Sequence, residues 1–230
     1  MSDHHFWLRD AQFARLGPFL PNKPHGVPRV DDHRVISAIG VFDRIFAMLA
    51  TESAATDAVL IDATHLEAHR TAAGLAKNGG VPRRIGRTKG RLNSKQHAAC
   101  DGEGEGEGEG KSLILLLTEG QVSDHCEARP MLTALPGAET LIAGRGCDSN
   151  WLRQALADSD IALCIPGRKN RKEPIAYDEL LYRQRNRIER NIGKLKDWRR
   201  IAKRYDRCAH GFMSAISIAA TVISGYEPCA

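Results

Sequence analysis

Ala58-Val59-Leu60-Ile61-Asp62-Ala63-Thr64-His65 is an apolar run, rich in β-branched residues, with a single carboxylate inside it. Such an apolar run predicts a short strand. An aspartate in that setting is costly if buried without a partner. Two solutions are open: an edge strand that leaves Asp62 at the surface, or coordination of a metal ion. The apolar flanks favour coordination.

Reading outward from this stretch, strands are expected over residues 95–100, 112–118, 139–143 and 161–165, making five. Helices are expected from Asp124 through Met131 to Leu135, over 151–158, over about 178–200 and over about 210–224. Three adjacent strands, then alternating helix and strand, then long helices, fit an α/β fold of ribonuclease-H-like order: a mixed five-stranded sheet flanked by helices. Gly102 to Gly110 is a two-residue Gly-Glu repeat that can bury nothing, and reads as a hairpin tip enlarged by low-complexity expansion.

Toward the N-terminus the period changes. Asp10 caps a segment with Phe13, Leu16 and Phe19-Leu20, and a Pro/Gly-rich link runs from Pro21 to Pro28. Asp31-Asp32 then caps a second segment, in which Val35, Ile36, Ile39, Phe42, Ile45, Phe46 and Leu49 recur at helical spacing. The expected division is a small helical N-terminal region over 1–55 and an α/β domain over 56–230 that carries the insert 102–110.

Bulk properties narrow the function. Hydrophobic content of 42% and charged content of 27% are those of a globular protein, and 6% aromatic residues are too few for base-stacking platforms. The opening Met1-Ser2-Asp3-His4-His5 is no secretory leader, and the longest apolar stretch, 212–223, is about half a membrane span. No membrane association and a cytoplasmic, nucleoid-associated location are expected. Six scattered cysteines without a C-x2-C pair read as free thiols. Residues 161–207 hold 15 Lys and Arg against 6 Asp and Glu, a balance of +9 that leaves the rest of the +5 chain at −4. The C-terminal third is therefore the part suited to a polyanion.

Within that third, Tyr182, Arg185, Glu189 and Lys196 stand at gaps of two, three and six residues. On one helix they fall within roughly 60° of one another. The plain reading is a solvated helix face with i,i+4 ion pairs. The functional reading is an active-site edge, where the carboxylate holds a divalent metal and the cations hold phosphates.

This signature resembles that of the DDE transposases of bacterial insertion sequences, specifically the group named for the fifth insertion sequence. Ile61-Asp-Ala-Thr-His-Leu66, Ile85-Gly-Arg-Thr-Lys-Gly90, Leu117-Thr-Glu-Gly-Gln-Val-Ser-Asp124, Ile165-Pro-Gly-Arg-Lys-Asn-Arg171 and Leu195-Lys-Asp-Trp-Arg-Arg200 are similar to the same group. The resemblance implies a ribonuclease-H-like core in which three carboxylates hold two Mg2+ ions, with Mn2+ as a substitute, for cleavage and strand transfer at element ends. Asp62 is then the first carboxylate and metal ligand and Glu189 the third. Arg185, Lys196, Tyr182, Arg87, Lys89 and Arg171 are the expected DNA contacts. The partner is double-stranded DNA, both terminal inverted repeats and target, engaged as a dimer.

Two departures from the group stand out. Where its second carboxylate belongs, the segment Ala143-Gly144-Arg145-Gly146-Cys147-Asp148-Ser149 has Gly144, which offers no side-chain ligand. Asp148 is the candidate substitute; its competing role is to cap the helix beginning near Trp151. In addition, Val35-Ile-Ser-Ala-Ile39 and Val41-Phe-Asp-Arg-Ile45 nearly abut where the group has a longer helical region that helps recognise element ends. Impaired chemistry, or an inactive DNA-binding remnant acting as a repressor, are the alternatives. A structure-specific nuclease of the same fold is a third.

Overall fold

The Asp62 stretch is the middle of a 13-residue strand, β1 (Thr56–Ala68), in the computed structural model. The structure describes residues 56–74, 83–89, 91–102, 110–135 and 137–225, together with residues 43, 46–48 and 50, which are helical. The other positions of the expected N-terminal helices, and residues 103–109 of the Gly-Glu repeat, lie outside the described residues.

β1 pairs antiparallel with β3 (Arg91–Asp101), and β3 antiparallel with β4 (Ser112–Glu119). On its other side β1 pairs parallel with β5 (Ala138–Ala143), and β5 parallel with β6 (Ala162–Cys164). The order β4-β3-β1-β5-β6, with three antiparallel strands and then two parallel ones, is the ribonuclease-H-like sheet that the sequence predicts. Two short strands extend it to seven among the described residues: β2 (Gly86–Thr88) on the start of β3, and β7 (Lys203–Arg204) parallel to the end of β1. Strands of two and three residues carry no readable alternation, so neither is legible in the sequence.

Period-2 alternation sends neighbouring residues of β1 to opposite faces. Leu60 and Leu66 pack with Ile188, Ile192, Leu195, Phe212 and Ile216. These come from α4 (Asn186–Asp197) and α6 (Ala209–Gly225). Val59 and Ile61 face the other way, onto Met131 of α1 (Asp124–Ala134) and Leu152 and Leu156 of α2 (Asn150–Ala157). Helices thus cover both faces, as the apolar strand requires.

The helix expected over 178–200 is in fact three pieces: α3 (Glu179–Arg183), α4, and α5 (Arg199–Ala202). Between α3 and α4 the chain tightens into i→i−3 bonds, Arg185 N–H to the Tyr182 carbonyl at 3.0 Å and Arg187 N–H to the Gln184 carbonyl at 2.9 Å. Trp198 is extended (φ −76°, ψ 109°) and separates α4 from α5. Neither break involves proline or glycine, so neither is marked in the sequence.

Leu60 is fully buried between β1 and the helices. Leu60→Ala is expected to lower stability by about 3 kcal/mol, read as a shift in the urea unfolding midpoint with unchanged slope.

Candidate active site

Asp62 stands where β5 stops. The parallel register ends at Ile61 opposite Ala143, so the next position on β5's path, Gly144, follows directly beside Asp62. Even-numbered residues of β1 face α4, which brings Asp62 and Thr64 to the helix that carries Glu189 and Lys196.

Arg185, at the start of α4, joins the site. Its Nη2 donates to Asp62 Oδ2 at 2.8 Å, and its Nη1 donates to Glu189 Oε1 one turn along α4. One guanidinium therefore bridges a strand carboxylate and a helix carboxylate. Burial raises the Asp62 carboxyl above its ordinary pKa, although the charge and hydrogen bond of Arg185 pull the other way. Burial alone would lower Arg185, but the charge and hydrogen bond of Asp62, with the charges of Tyr182 and Glu189, together raise it and the guanidinium stays firmly protonated.

The third nitrogen of that guanidinium is the informative one. Arg185 Nε is buried and has no hydrogen-bond partner among the described residues. A Cβ on Gly144 would lie 3.3 Å from it. Gly144 has φ −74° and ψ 167°, extended backbone that any residue adopts. The site thus holds two carboxylates, a cation between them, and an unanswered donor facing the position where the resemblance places the missing carboxylate.

Lys196, two turns beyond Glu189, donates to Thr64 Oγ1 at 2.5 Å. Burial lowers its pKa, partly offset by the charge of Asp62. Tyr182 is half-buried, edge-on to Tyr177 at 5.4 Å, with the Arg185 guanidinium 6.0 Å from its ring. All four residues of the Tyr-Arg-Glu-Lys signature therefore gather around Asp62, although they lie on two helices and a tight turn and not on one face of a continuous helix.

The sequence family described as "Transposase DDE domain" matches residues 53–222, well over half of the chain. The chain is 30% identical over 133 residues to a Brucella ovis protein assigned as transposase for insertion sequence element IS6501, covering 57% of this chain and 98% of that protein. It belongs to the DDE transposases of bacterial insertion sequences. Among solved structures, piggyBac transposase in a synaptic complex with hairpin DNA is 10% identical with a TM-score of 0.45, and this chain (81% of it aligned) spans about half, 51%, of that one. The Mos1 strand transfer complex is 12% identical with a TM-score of 0.34, over 94% of this chain and 68% of that one.

In this transposase the proposed substitute, Asp148, is not brought to the site. It is buried, and its oxygens accept from Arg153 Nε (2.8 Å), Arg171 Nε (2.8 Å) and Nη2 (3.1 Å), and the backbone N–H of Arg168 (2.8 Å). Burial opposes its charge, but these donors overcome it and hold the carboxyl far below the usual carboxylate range. Asp148 ties α2 to the basic loop 167–172. It is not the helix cap either: Ser149 caps α2, accepting from Leu152 N–H. Arg171, expected to contact DNA, is spent on Asp148 and on Asn150. No group of three or more His, Cys, Asp or Glu side chains suited to a metal occurs among the described residues.

Arg87 and Lys89 are exposed on the β2–β3 hairpin, with Lys89 in the left-handed region at its tip (φ 29°). Two contributors escaped the sequence reading. Thr64 anchors Lys196, and a strand threonine carries no signal of that. Arg153 seats Asp148, and was hidden in an ordinary amphipathic helix.

Removing the Asp148 charge deprives the part-buried Arg153 and Arg171 of their shared carboxylate. Asp148→Asn is therefore expected to cost about 2 kcal/mol at neutral pH, the worth of hydrogen bonds to a charged group. Because the folded pKa lies below the unfolded one, the contribution is complete above pH about 4 and fades as pH falls through the folded value. Urea midpoints of the two proteins should keep a constant gap from pH 7 to about 5 and begin to draw together between about pH 4 and 3.

Proposed function

We propose that this transposase acts on double-stranded DNA, terminal inverted repeats and target alike, by divalent-metal-dependent phosphodiester cleavage and strand transfer, and that Gly144 impairs this chemistry. Mg2+ is the expected ion, with Mn2+ in its place, and two copies are expected to meet on DNA. The observation that carries the reading is the bridging of Asp62 and Glu189 by Arg185, whose unanswered Nε faces position 144.

The residues present fit a divalent ion in part. Asp62 and Glu189 supply hard oxygen ligands already gathered around one positive charge. A bound ion would supply Lewis-acid polarisation of the phosphodiester and of the attacking water or 3′-hydroxyl. The remaining work falls to the protein. Arg185, freed from the carboxylates, presents a planar fork to a phosphate. Lys196 adds a point charge beside Thr64, and Tyr182 supports the flank of Arg185. Arg87 and Lys89 meet phosphates farther along the duplex. Asp148 and Arg171 keep a structural role and leave the third ligand position unfilled.

That gap also favours a second reading, a DNA-binding remnant that occupies element ends and represses an intact relative. Cleavage of a duplex carrying the inverted repeats that flank the gene, in Mg2+ or Mn2+, separates the two. Gly144→Asp is expected to raise cleavage by at least about tenfold, the low end of what even an outer-shell ligand is worth. Asp62→Asn and Glu189→Gln should each abolish it. Wild-type cleavage that Asp62→Asn leaves intact would contradict the site, and salt-sensitive DNA binding with no cutting by either form would favour the remnant.

A further inference from the structure

Arg204 is the largest fully buried side chain of the described residues, and none of its hydrogen-bond partners is a carboxylate. Its Nε donates to the Asp206 carbonyl at 2.9 Å, and its Nη2 to the Arg83 carbonyl at 2.7 Å. Its Nη1 reaches the Ser94 hydroxyl and, at 3.4 Å, the Arg84 carbonyl. The guanidinium lies 4.7 Å from the Phe212 ring centroid. Burial pulls its pKa down to about 10, so it remains charged at neutral pH. A buried cation held by carbonyls is an expensive arrangement, so what it holds matters.

It holds the root of the β2–β3 hairpin. Arg83 and Arg84 immediately precede β2, and Arg84 is in the left-handed region (φ 52°), a conformation unfavourable for arginine. The Arg84 carbonyl accepts from Arg204 and also from Ser94 Oγ at 2.6 Å, which pins that conformation. Gly86, at the start of β2, lies against the end of the exposed Gln121 side chain. Beyond these anchors stand the exposed cations Arg87 and Lys89.

The hairpin lies on the same sheet as the site. Asn93 of β3 is opposite Glu67 of β1, five residues from Asp62. At 3.3 Å per residue that is roughly 16 Å along β1 to the level of the hairpin's root, and Arg87, opposite Leu92, stands farther along and two strands over. Lys196 is beside Thr64, and Lys203 is beside Glu67 on the other edge of β1.

We propose that Arg204 is a positioning residue for DNA: its clamp on the backbone of residues 83–84 sets the β2–β3 hairpin so that Arg87 and Lys89 meet phosphates farther along a duplex seated at Asp62 and Glu189. The proposal rests on DNA being the partner of this transposase.

The test is the salt dependence of binding to a linear duplex of mixed sequence by the full chain. Arg87→Ala/Lys89→Ala should reduce the slope of log K against log salt by about 1.8, two phosphate contacts at 0.9 each. Arg204→Lys keeps the charge but cannot span the same acceptors. It should give a similar reduction and render the hairpin residues susceptible to trypsin, and adding the two alanines should then remove little more. Should Arg204→Lys fail to fold, Ser94→Ala, which removes one of the two bonds to the Arg84 carbonyl, is held to the same criterion. A reduced slope in the alanine pair with a wild-type slope in the folded Arg204→Lys or Ser94→Ala protein would overturn the positioning role alone. A wild-type chain that does not bind duplex would overturn the DNA reading beneath it.

Discussion

One guanidinium organises the centre of this protein. Arg185 reaches a strand carboxylate on one side and a helix carboxylate on the other, and the geometry of the site follows from what must surround it. β1 has to run past the end of β5 so that Asp62 is uncovered by a neighbouring strand. The chain between α3 and α4 has to tighten so that Arg185 leaves the helix at the right point. Ile188, Ile192 and Leu195 have to press α4 against Leu60 and Leu66 to fix the distance between the two carboxylates. Without the arginine, the part-buried Asp62 carboxylate and the exposed Glu189 carboxylate would have no cation between them.

The same guanidinium explains why Gly144 matters more than an ordinary loop glycine. Its backbone conformation does not require glycine, and its missing side chain leaves a buried donor unsatisfied. Buried donors are normally answered. A protein of this family with a carboxylate there would close the set; this chain has two acceptors where three directions are available. Asp62 and Glu189 stand around Arg185, and position 144 adds no side chain to them.

Much of this was legible in the sequence, for a physical reason. The run Val59 to Ile61 is apolar enough to signal a strand, and five strand signals in their order fit the sheet that forms. Asp62 stood out because its neighbours made it costly. The Tyr-Arg-Glu-Lys spacing picked out residues that the structure gathers around Asp62, but the assumption of one unbroken helix concealed that Arg185 sits in a turn and can bridge. Asp148 was misjudged because its neighbours in space, Arg153 and Arg171, are five and 23 residues away in sequence, and ion-pair partners leave no local pattern. Arg204 is the extreme case: within a run of basic residues, nothing marks the one that is buried. Positive charge in the C-terminal third is thus of two kinds, cations turned outward or toward the site and cations consumed in holding the fold.

The central claim is that Arg185 couples Asp62 to the helix carboxylate. A double-mutant cycle on urea-induced unfolding, with Asp62→Asn, Arg185→Gln and the double variant, tests it most directly. A bridging arginine predicts strong non-additivity, a coupling of about 1 kcal/mol or more. Effects that simply add would contradict the bridge, and with it the account of the site.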